Sequence, residues 1–514
     1  MKTIFLTAFT NFVVRNILDT EVLRILKSDP NLKIVILAPD EERDYLTKHF
    51  SSGNVVVEGV RMLPVGTTKA LISFICRSLV KTYTTEMFAK LRYGRLEYFW
   101  YRFFLNLFAG REWFMKLMRF LDNFLLNKNR FIFYIEKYQP SLVFSTDITD
   151  RSTGESDIDL IREARHRGIP VIGMVRSWDN LTSRGIIRQV PDKILLHNEI
   201  LKNECVKYHG ISPEKIIVTG IPHYDNYLKV EKLSREEFYQ PLGLDPRKKT
   251  VFFVVTADGF LEKQFGGRRP GSENSSNKRT QNSSFYLPGK PGSENSSNEQ
   301  TQNSSFYLPG KPGSENSSNK RTQNSSFYLP GKPTINRHIL ELLTKLNPDK
   351  YQILVRFPLI GTVDLGDFRT PANMVFDHPG KLFGKGELDR DADYHLINSL
   401  YHCDVGIPGP STIAADTLIF DKPLIVVGFD KEKDLPIDAS MRKFLELEHL
   451  RPLTDLGAAR IANSESELLD LLNKYLENPK SDAENRQKAI ETICWKLDGQ
   501  ASERVARSIL SELR

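Results

Sequence analysis

Within the ten residues "RSWDNLTSRG" (176–185) the chain gathers Arg176, Trp178, Asp179, Asn180, Thr182 and Arg184. A Trp ring covers the apolar face of a sugar while a neighbouring carboxylate and amide bind its hydroxyls. Trp178, Asn180 and Arg176 are therefore candidate acceptor- or sugar-binding residues. Asp179 is the candidate base that deprotonates an acceptor hydroxyl. The same residues also suit a turn in which Asp179 and Asn180 cap the chain and Trp178 packs beneath. Asp147 and Asp150, in "STDITD", end a nearby apolar run and are further base candidates. His223, in "GIPHYD", offers an imidazole that titrates near neutrality when unperturbed, or a structural hydrogen bond between domains. Arg15, beside Asn16, follows the first apolar run closely enough to reach the same place.

A second stretch, "GIPGPSTIAADTLIFDKPLIVV" (406–427), suggests anion binding. Gly409 and Pro410 shape a turn, and Ser411 and Thr412 begin a helix whose first amides are unpaired. Asp416 follows about one turn later. A diphosphate at the amides and a ribose diol at the carboxylate would together hold a nucleotide donor. The plain alternative makes Ser411 an ordinary N-cap and Asp416 a solvated helix residue. Arg356, closing "YQILVR", is placed to neutralise a leaving diphosphate. The sequence contains no glycine-rich P-loop and no metal-type grouping of His, Cys and Asp, so neither cofactor nor metal is expected.

These residues follow short apolar runs that read as buried strands. "TIFLTA" (3–8), "KIVILAP" (33–39), "NVVVEGV" (54–60), "SLVFSTD" (141–147), "IPVIGMV" (169–175), "KILLHN" (193–198) and "KIIVTG" (215–220) form one series. "TVFFVVTA" (250–257), "YQILVRFP" (351–358), "NMVFDHP" (373–379), "CDVGIP" (403–408) and "PLIVVGF" (423–429) form a second. Helical patterns alternate with them, including "SDIDLIREARHRG" and "TINRHILELLTKL". Continuous apolar strands between helices predict parallel sheets covered on both faces. The expected fold is α/β, with two doubly wound, Rossmann-like domains facing across a cleft at the carboxyl ends of their strands. The expected divisions are 1–225 for an acceptor domain, 226–485 for a nucleotide-donor domain, and 486–514 for a terminal helix crossing back.

The motifs keep the order found in GT-B nucleotide-sugar enzymes. "STIAADTLIFDKP" (411–423) resembles their donor-binding segment, both in bacterial UDP-N-acetylglucosamine 2-epimerases and in CDP-glycerol glycerophosphotransferases. "VTGIPHYD" (218–225) resembles the passage from the first domain into the second, and "PSLVFSTDITD" (140–150) a strand and loop ending in G-D-T. "LVRFP" resembles a second-domain strand end, and "KLDGQASERVARSIL" (496–510) the D-G-x-A-x-x-R terminal helix. The resemblance implies a GT-B fold, with Ser411 and Thr412 facing phosphate and Asp416 binding ribose. It also carries departures. Asp258 stands where the hydrolysing epimerases have a catalytic His, "VRSWDN" replaces their H-x-E-A-G loop, and the His of the glycerophosphate transferases is absent. The resemblance therefore implies a donor class without a reaction. The leading expectation is a transferase that moves a sugar or polyol phosphate from a nucleotide-activated donor in cell-surface polysaccharide synthesis. A sugar-nucleotide epimerase and a catalytically silent nucleotide-binding protein are the alternatives.

Across 514 residues, 40% are hydrophobic and 26% charged, with a net charge of +7, as in a globular chain of two or three domains. Cys76, Cys205, Cys403 and Cys494 are far apart and suggest a reducing compartment rather than a disulfide framework. The first residues lack a signal-peptide pattern and no apolar run is long enough to span a membrane, which favours a cytoplasmic location. Within 266–333 a 21-residue unit, "PGSENSSNKRTQNSSFYLPGK", occurs three times, once with "EQ" for "KR". Its Ser, Asn, Gly and Pro content reads as a disordered insertion. Region 68–140 is helical, aromatic and basic, with eleven Lys or Arg and four Asp or Glu between Arg77 and Arg130. That pattern suits peripheral contact with an anionic bilayer, as a lipid-linked acceptor would need, or a packed helical hairpin or dimer interface. Nucleic-acid binding has no support beyond charge.

Overall fold

The computed structural model describes all residues except 11, 150–153, 257–334, 359–362, 379–381, 384–386, 389, 410, 433–434, 436–439 and 514. The repeats, Asp150 and Asp258 lie outside the described residues. Seven strands build the first sheet: β1 (Lys2–Thr7), β2 (Leu32–Pro39), β3 (Val55–Val60), β4 (Leu142–Ser145), β5 (Val171–Met174), β6 (Lys193–Leu196) and β7 (Ile216–Val218). All pair in parallel, in the order β3-β2-β1-β4-β5-β6-β7. β1 shows why an uninterrupted apolar run is needed. Phe5 packs into one core while Ile4 and Leu6 pack into the core on the opposite face, following the two-residue period of a strand.

The second sheet repeats this winding. Its strands are β8 (Lys249–Val254), β9 (Tyr351–Arg356), β10 (Met374–Asp377), β13 (Val405–Ile407), β14 (Leu424–Val427) and β15 (Ala459–Ala462). β11 (Leu382–Phe383) and β12 (Glu387–Leu388) form a separate antiparallel ribbon. The order β10-β9-β8-β13-β14-β15 is again all parallel. Val251 and Phe253 face one core, Phe252 and Val254 the other. The chain is thus a GT-B-type pair of doubly wound domains. β15 has no counterpart among the apolar runs of the sequence, since Ile461 is the one large apolar side chain of its "ARIA". Its place comes from backbone pairing along β14, from Leu424 opposite Ala459 to Val427 opposite Ala462.

Each sheet has a topological switch, between β1 and β4 in the first and between β8 and β13 in the second. Chain connections diverge there and leave a crevice at the carboxyl ends. Between β3 and β4 five helices intervene: Thr67–Arg77, Tyr83–Arg92, Arg95–Phe108, Glu112–Leu125 and Ile132–Tyr138. The terminal helix Ala501–Ser511 returns to the first domain, where Val505, Ala506 and Ile509 join the core beneath β1 and β2. Asp225 accepts from the amides of Ala501 and Ser502 at 3.1 and 2.7 Å, while Arg504 donates to the Thr219 carbonyl at 2.7 Å. The two segments "VTGIPHYD" and "DGQASER" are therefore halves of one clamp. Gly220 is required in it, because its φ is +84° and a Cβ would lie 3.1 Å from that of Ala501. Among the described residues no helix is long and apolar enough to cross a membrane.

Candidate functional site

The residues following strands of the first sheet converge at its carboxyl edge. Arg15 follows β1, Asp147 follows β4, Arg176 to Asn180 follow β5, His197 follows β6 and His223 follows β7. Beneath this edge, Asp147 is fully buried and committed. Its Oδ1 accepts from the amide and hydroxyl of Thr149 at 3.0 and 2.6 Å, and its Oδ2 pairs with Arg176 at 3.2 Å and Arg184 at 3.3 Å. Those bonds hold Asp147 as an anchor for the β5 loop.

Above it, Trp178 and Asn180 are buried, yet Trp178 Nε1 and both amide atoms of Asn180 have no hydrogen-bond partner among the described residues. The Trp178 ring meets His449 of the second domain edge-on, with centroids 5.6 Å apart. Asp179 is half-buried beside them. Burial alone would raise its carboxyl pKa, but the facing His449 and Arg184 side chains and a bond from Ser177 hold it below the usual range. Asp179 is thus an ionised acceptor at neutral pH. His197 behaves oppositely, since burial pushes its imidazole down to about 4 against the weaker pull of Asp179. Burial also lowers His449, which Asp179 and Glu448 only partly counter. His223 is held well below the usual imidazole value by burial and then by Arg15, so it stays neutral where a solvated imidazole would titrate. The Nδ1 atoms of all three imidazoles lack a partner among the described residues.

Glu204, in the helix Glu199–His209, completes this group. Its carboxyl is pushed up to about 8 by burial and by the neighbouring Glu448 and Asp179. An unpartnered buried polar group costs about 1–3 kcal/mol, so several in one place are unusual unless they serve a ligand. His197, Glu204, Glu448 and His449 are absent from the sequence reading. His197 had a detectable signal, since it directly follows the strand "KILL". The others belong to no motif.

Arg15 takes a different part. Its Nε lies 2.7 Å from Asp393 Oδ1 and its Nη2 lies 3.3 Å from Asp416 Oδ2, while Nη2 also donates to the Tyr227 hydroxyl. Burial would weaken the guanidinium's hold on its proton, but Tyr227, Asp393 and Asp416 outweigh it and keep Arg15 charged. Asp416 is buried, and burial raises its pKa against the opposing pull of Arg15 and a bond from Tyr224. This ion pair joins the two domains. A second link is Glu448, whose carboxylate accepts from the amides of Tyr83 and Thr84 at 2.5 and 2.9 Å.

At the switch point of the second sheet lies a small, mostly apolar pocket. Thr256 after β8 and Gly409 after β13 flank it, with Ala414, Met441, Phe444 and Leu450 among its walls. A Cβ at Gly409 would sit 3.0 Å from Thr256 Oγ1, close enough that the Thr256 side chain would have to give way. Ser411 Oγ, two residues on, has no partner among the described residues. The helix begins at Ile413, with Thr412 as an N-cap whose exposed side chain makes no capping bond. Ala414 and Asp416 are two positions apart, about 200° around a helix, so one faces the pocket and the other Arg15. Arg356, opposite Val254 in the sheet, does not line the pocket. It is buried and donates to Asp377 Oδ2 at 2.8 Å, and Asp377 Oδ1 lies 3.0 Å from His395. Among the described residues no three His, Cys, Asp or Glu side chains converge as a metal site would require.

No protein-family model matches this chain, and no curated protein does. Among solved structures it is similar to a UDP-GlcNAc 2-epimerase from Neisseria meningitidis bound to UDP-GlcNAc, at 12% identity and TM-score 0.49, over 99% of this chain and 100% of that one. It is similar to a glycosyltransferase from Rickettsia africae at 10% identity and TM-score 0.44, over 99% and 98%. It is also similar to MurG of Acinetobacter baumannii at 12% identity and TM-score 0.40, over 99% of each chain.

Proposed function

We propose that this chain is a transferase that moves a sugar or polyol phosphate from a nucleotide-activated donor to an acceptor hydroxyl, in the assembly of a cell-surface polysaccharide. One observation carries the reading. Unpartnered buried polar atoms of Trp178, Asn180, His197, His223 and His449 gather where the carboxyl edges of two parallel sheets meet, beside a mostly apolar pocket.

In this reading 226–485 is the donor domain and 1–225 the acceptor domain. The nucleoside occupies the pocket behind Gly409, and Ser411 Oγ donates to the diphosphate. Trp178 covers the sugar or polyol, and the Asn180 amide binds its hydroxyls. Asp179, held ionised, takes the acceptor proton as the acceptor oxygen bonds the transferred group. The bond from that group to the nucleotide breaks, and the nucleotide departs. Asp416 is a positioning residue here, acting through Arg15 to hold the domains together over the cleft. Asp147 positions the β5 loop through Arg176.

Calorimetry against UDP, CDP, GDP and ADP and their sugar or polyol conjugates tests the proposal. One base should bind, Gly409→Val should weaken it at least about tenfold by filling the pocket mouth, and Asp179→Asn should bind donor yet lose turnover. Absence of binding by every nucleotide would overturn the donor reading. Full turnover by Asp179→Asn would remove Asp179 from the chemistry.

A further inference from the structure

The helices Arg95–Phe108 and Glu112–Leu125 each carry two apolar faces. One is accounted for: Tyr101, Leu105, Phe114, Met115 and Met118 are buried against the first domain and neighbouring helices. The other faces solvent. On the first helix Leu96, Phe99, Trp100, Phe103 and Leu107 are exposed, Phe99 at 60%. Trp113, Leu117, Phe120 and Phe124 are exposed on the second, Trp113 at 60% and Phe124 at 67%. Spacings of three and four place each set in one stripe. Ring contacts run from Phe99 through Trp100, Phe103 and Phe108 to Trp113, so the two stripes form one continuous patch. Monomeric proteins rarely expose so much contiguous aromatic surface without a partner.

Charge selects the occupant. Lys90, Arg95, Arg111 and Lys116 are exposed on or beside these helices, Lys116 paired with Glu112 at 2.8 Å, and the segment from Arg77 to Arg130 has eleven basic residues against four acidic ones. A second copy of the chain docked here would set this positive surface against itself. An anionic bilayer complements it, with aromatic rings at headgroup depth and basic side chains at the phosphates. The patch is also tied to the candidate acceptor site. Thr82, which caps the helix Tyr83–Arg92, donates its hydroxyl to the Thr182 carbonyl at 2.6 Å, in the short helix Asn180–Ser183 that begins with Asn180.

We propose that this aromatic face of the helical hairpin 95–125 seats the protein on the surface of an anionic membrane, without spanning it, and brings the cleft edge near Asn180 to lipid-borne acceptors. The last clause rests on the transferase reading; the membrane contact does not.

Sedimentation of the full chain with unilamellar vesicles tests the contact, using phosphatidylcholine alone and with about one-third phosphatidylglycerol. Binding should require the anionic lipid and weaken as salt rises. The triple variant Trp113→Ser, Phe120→Ser, Phe124→Ser should bind at least about tenfold more weakly, with an unchanged melting temperature because all three side chains are exposed. Lys90, Arg95, Arg111 and Lys116 changed together to Gln should lose the preference for anionic lipid. Equal sedimentation of parent and triple variant, or no binding to either vesicle, would overturn the proposal. So would a dimer that the triple variant converts to monomer without any vesicle binding. Nucleotide calorimetry on the same samples keeps failure here distinct from failure of the donor reading.

Discussion

Replacing Arg15 with Met tests what joins the two domains. The substitution keeps an unbranched, apolar stem and removes a guanidinium that lies 2.7 Å from Asp393 and 3.3 Å from Asp416. Side-chain exposure at the three positions is 12%, 16% and 3%, so little solvent is available to replace it. Removing one partner of a buried ion pair costs about 3–5 kcal/mol, because the partner charge remains without compensation. The loss should depend on pH. Burial already holds the Asp416 carboxyl above its usual pKa, with Arg15 opposing, so the variant raises it further. A carboxyl whose pKa is raised on folding stays protonated in the native state where the unfolded chain has ionised. Stability is therefore lost as pH rises from the unfolded carboxylate value, about 4, toward the folded one. Urea unfolding should show a deficit that is largest near pH 7.5 and smaller near about pH 5. Adding Asp416→Asn to the Met variant removes the stranded charge and should restore at least about 1 kcal/mol near neutral pH. A deficit that ignores pH, or a double variant whose losses simply add, would refute an interdomain ion pair centred on Arg15 and Asp416.

Glu204, with its carboxyl pushed up to about 8, should make the protein progressively less stable as pH rises from the ordinary carboxylate range toward that value. Glu204→Gln should then exceed wild type in melting temperature by a margin that widens from about pH 5 to about pH 8. Glu448→Ala removes the acceptor for the Tyr83 and Thr84 amides across the domain boundary, and should cost about 1–2 kcal/mol in urea unfolding, as loss of a helix cap does. The same change takes away a like charge beside Glu204, so the pH-dependent loss attributed to Glu204 should move to lower pH in that variant.

Much of the architecture is legible from the amino-acid order because it depends on local pattern. Strands buried on both faces must be apolar at nearly every position, and that signal marks β1 to β10, β13 and β14. Strand ends then locate Arg15, Asp147, Trp178, Asp179, His223 and Gly409 at the carboxyl edges, since residues just past a parallel strand have nowhere else to go. The clamp between Asp225 and the amides of Ala501 and Ser502 is also legible, as two motifs whose contact sequence leaves unstated.

The partners of these side chains were decided only in three dimensions. Glu448 reaches the Tyr83 amide across 365 positions and Arg15 reaches Asp416 across 401, separations over which no periodicity carries information. The helix after Gly409 fixes which of its residues share a face, while tertiary packing alone turns Ala414 to the pocket and Asp416 to Arg15. The same holds for charge state. Sequence suggests ordinary titration for His223, but burial keeps it and His197 neutral and Glu204 protonated, and the groups facing Asp179 keep it ionised. Burial and facing charge belong to the assembled domains, because low dielectric and a fixed neighbour exist only once the chain has packed.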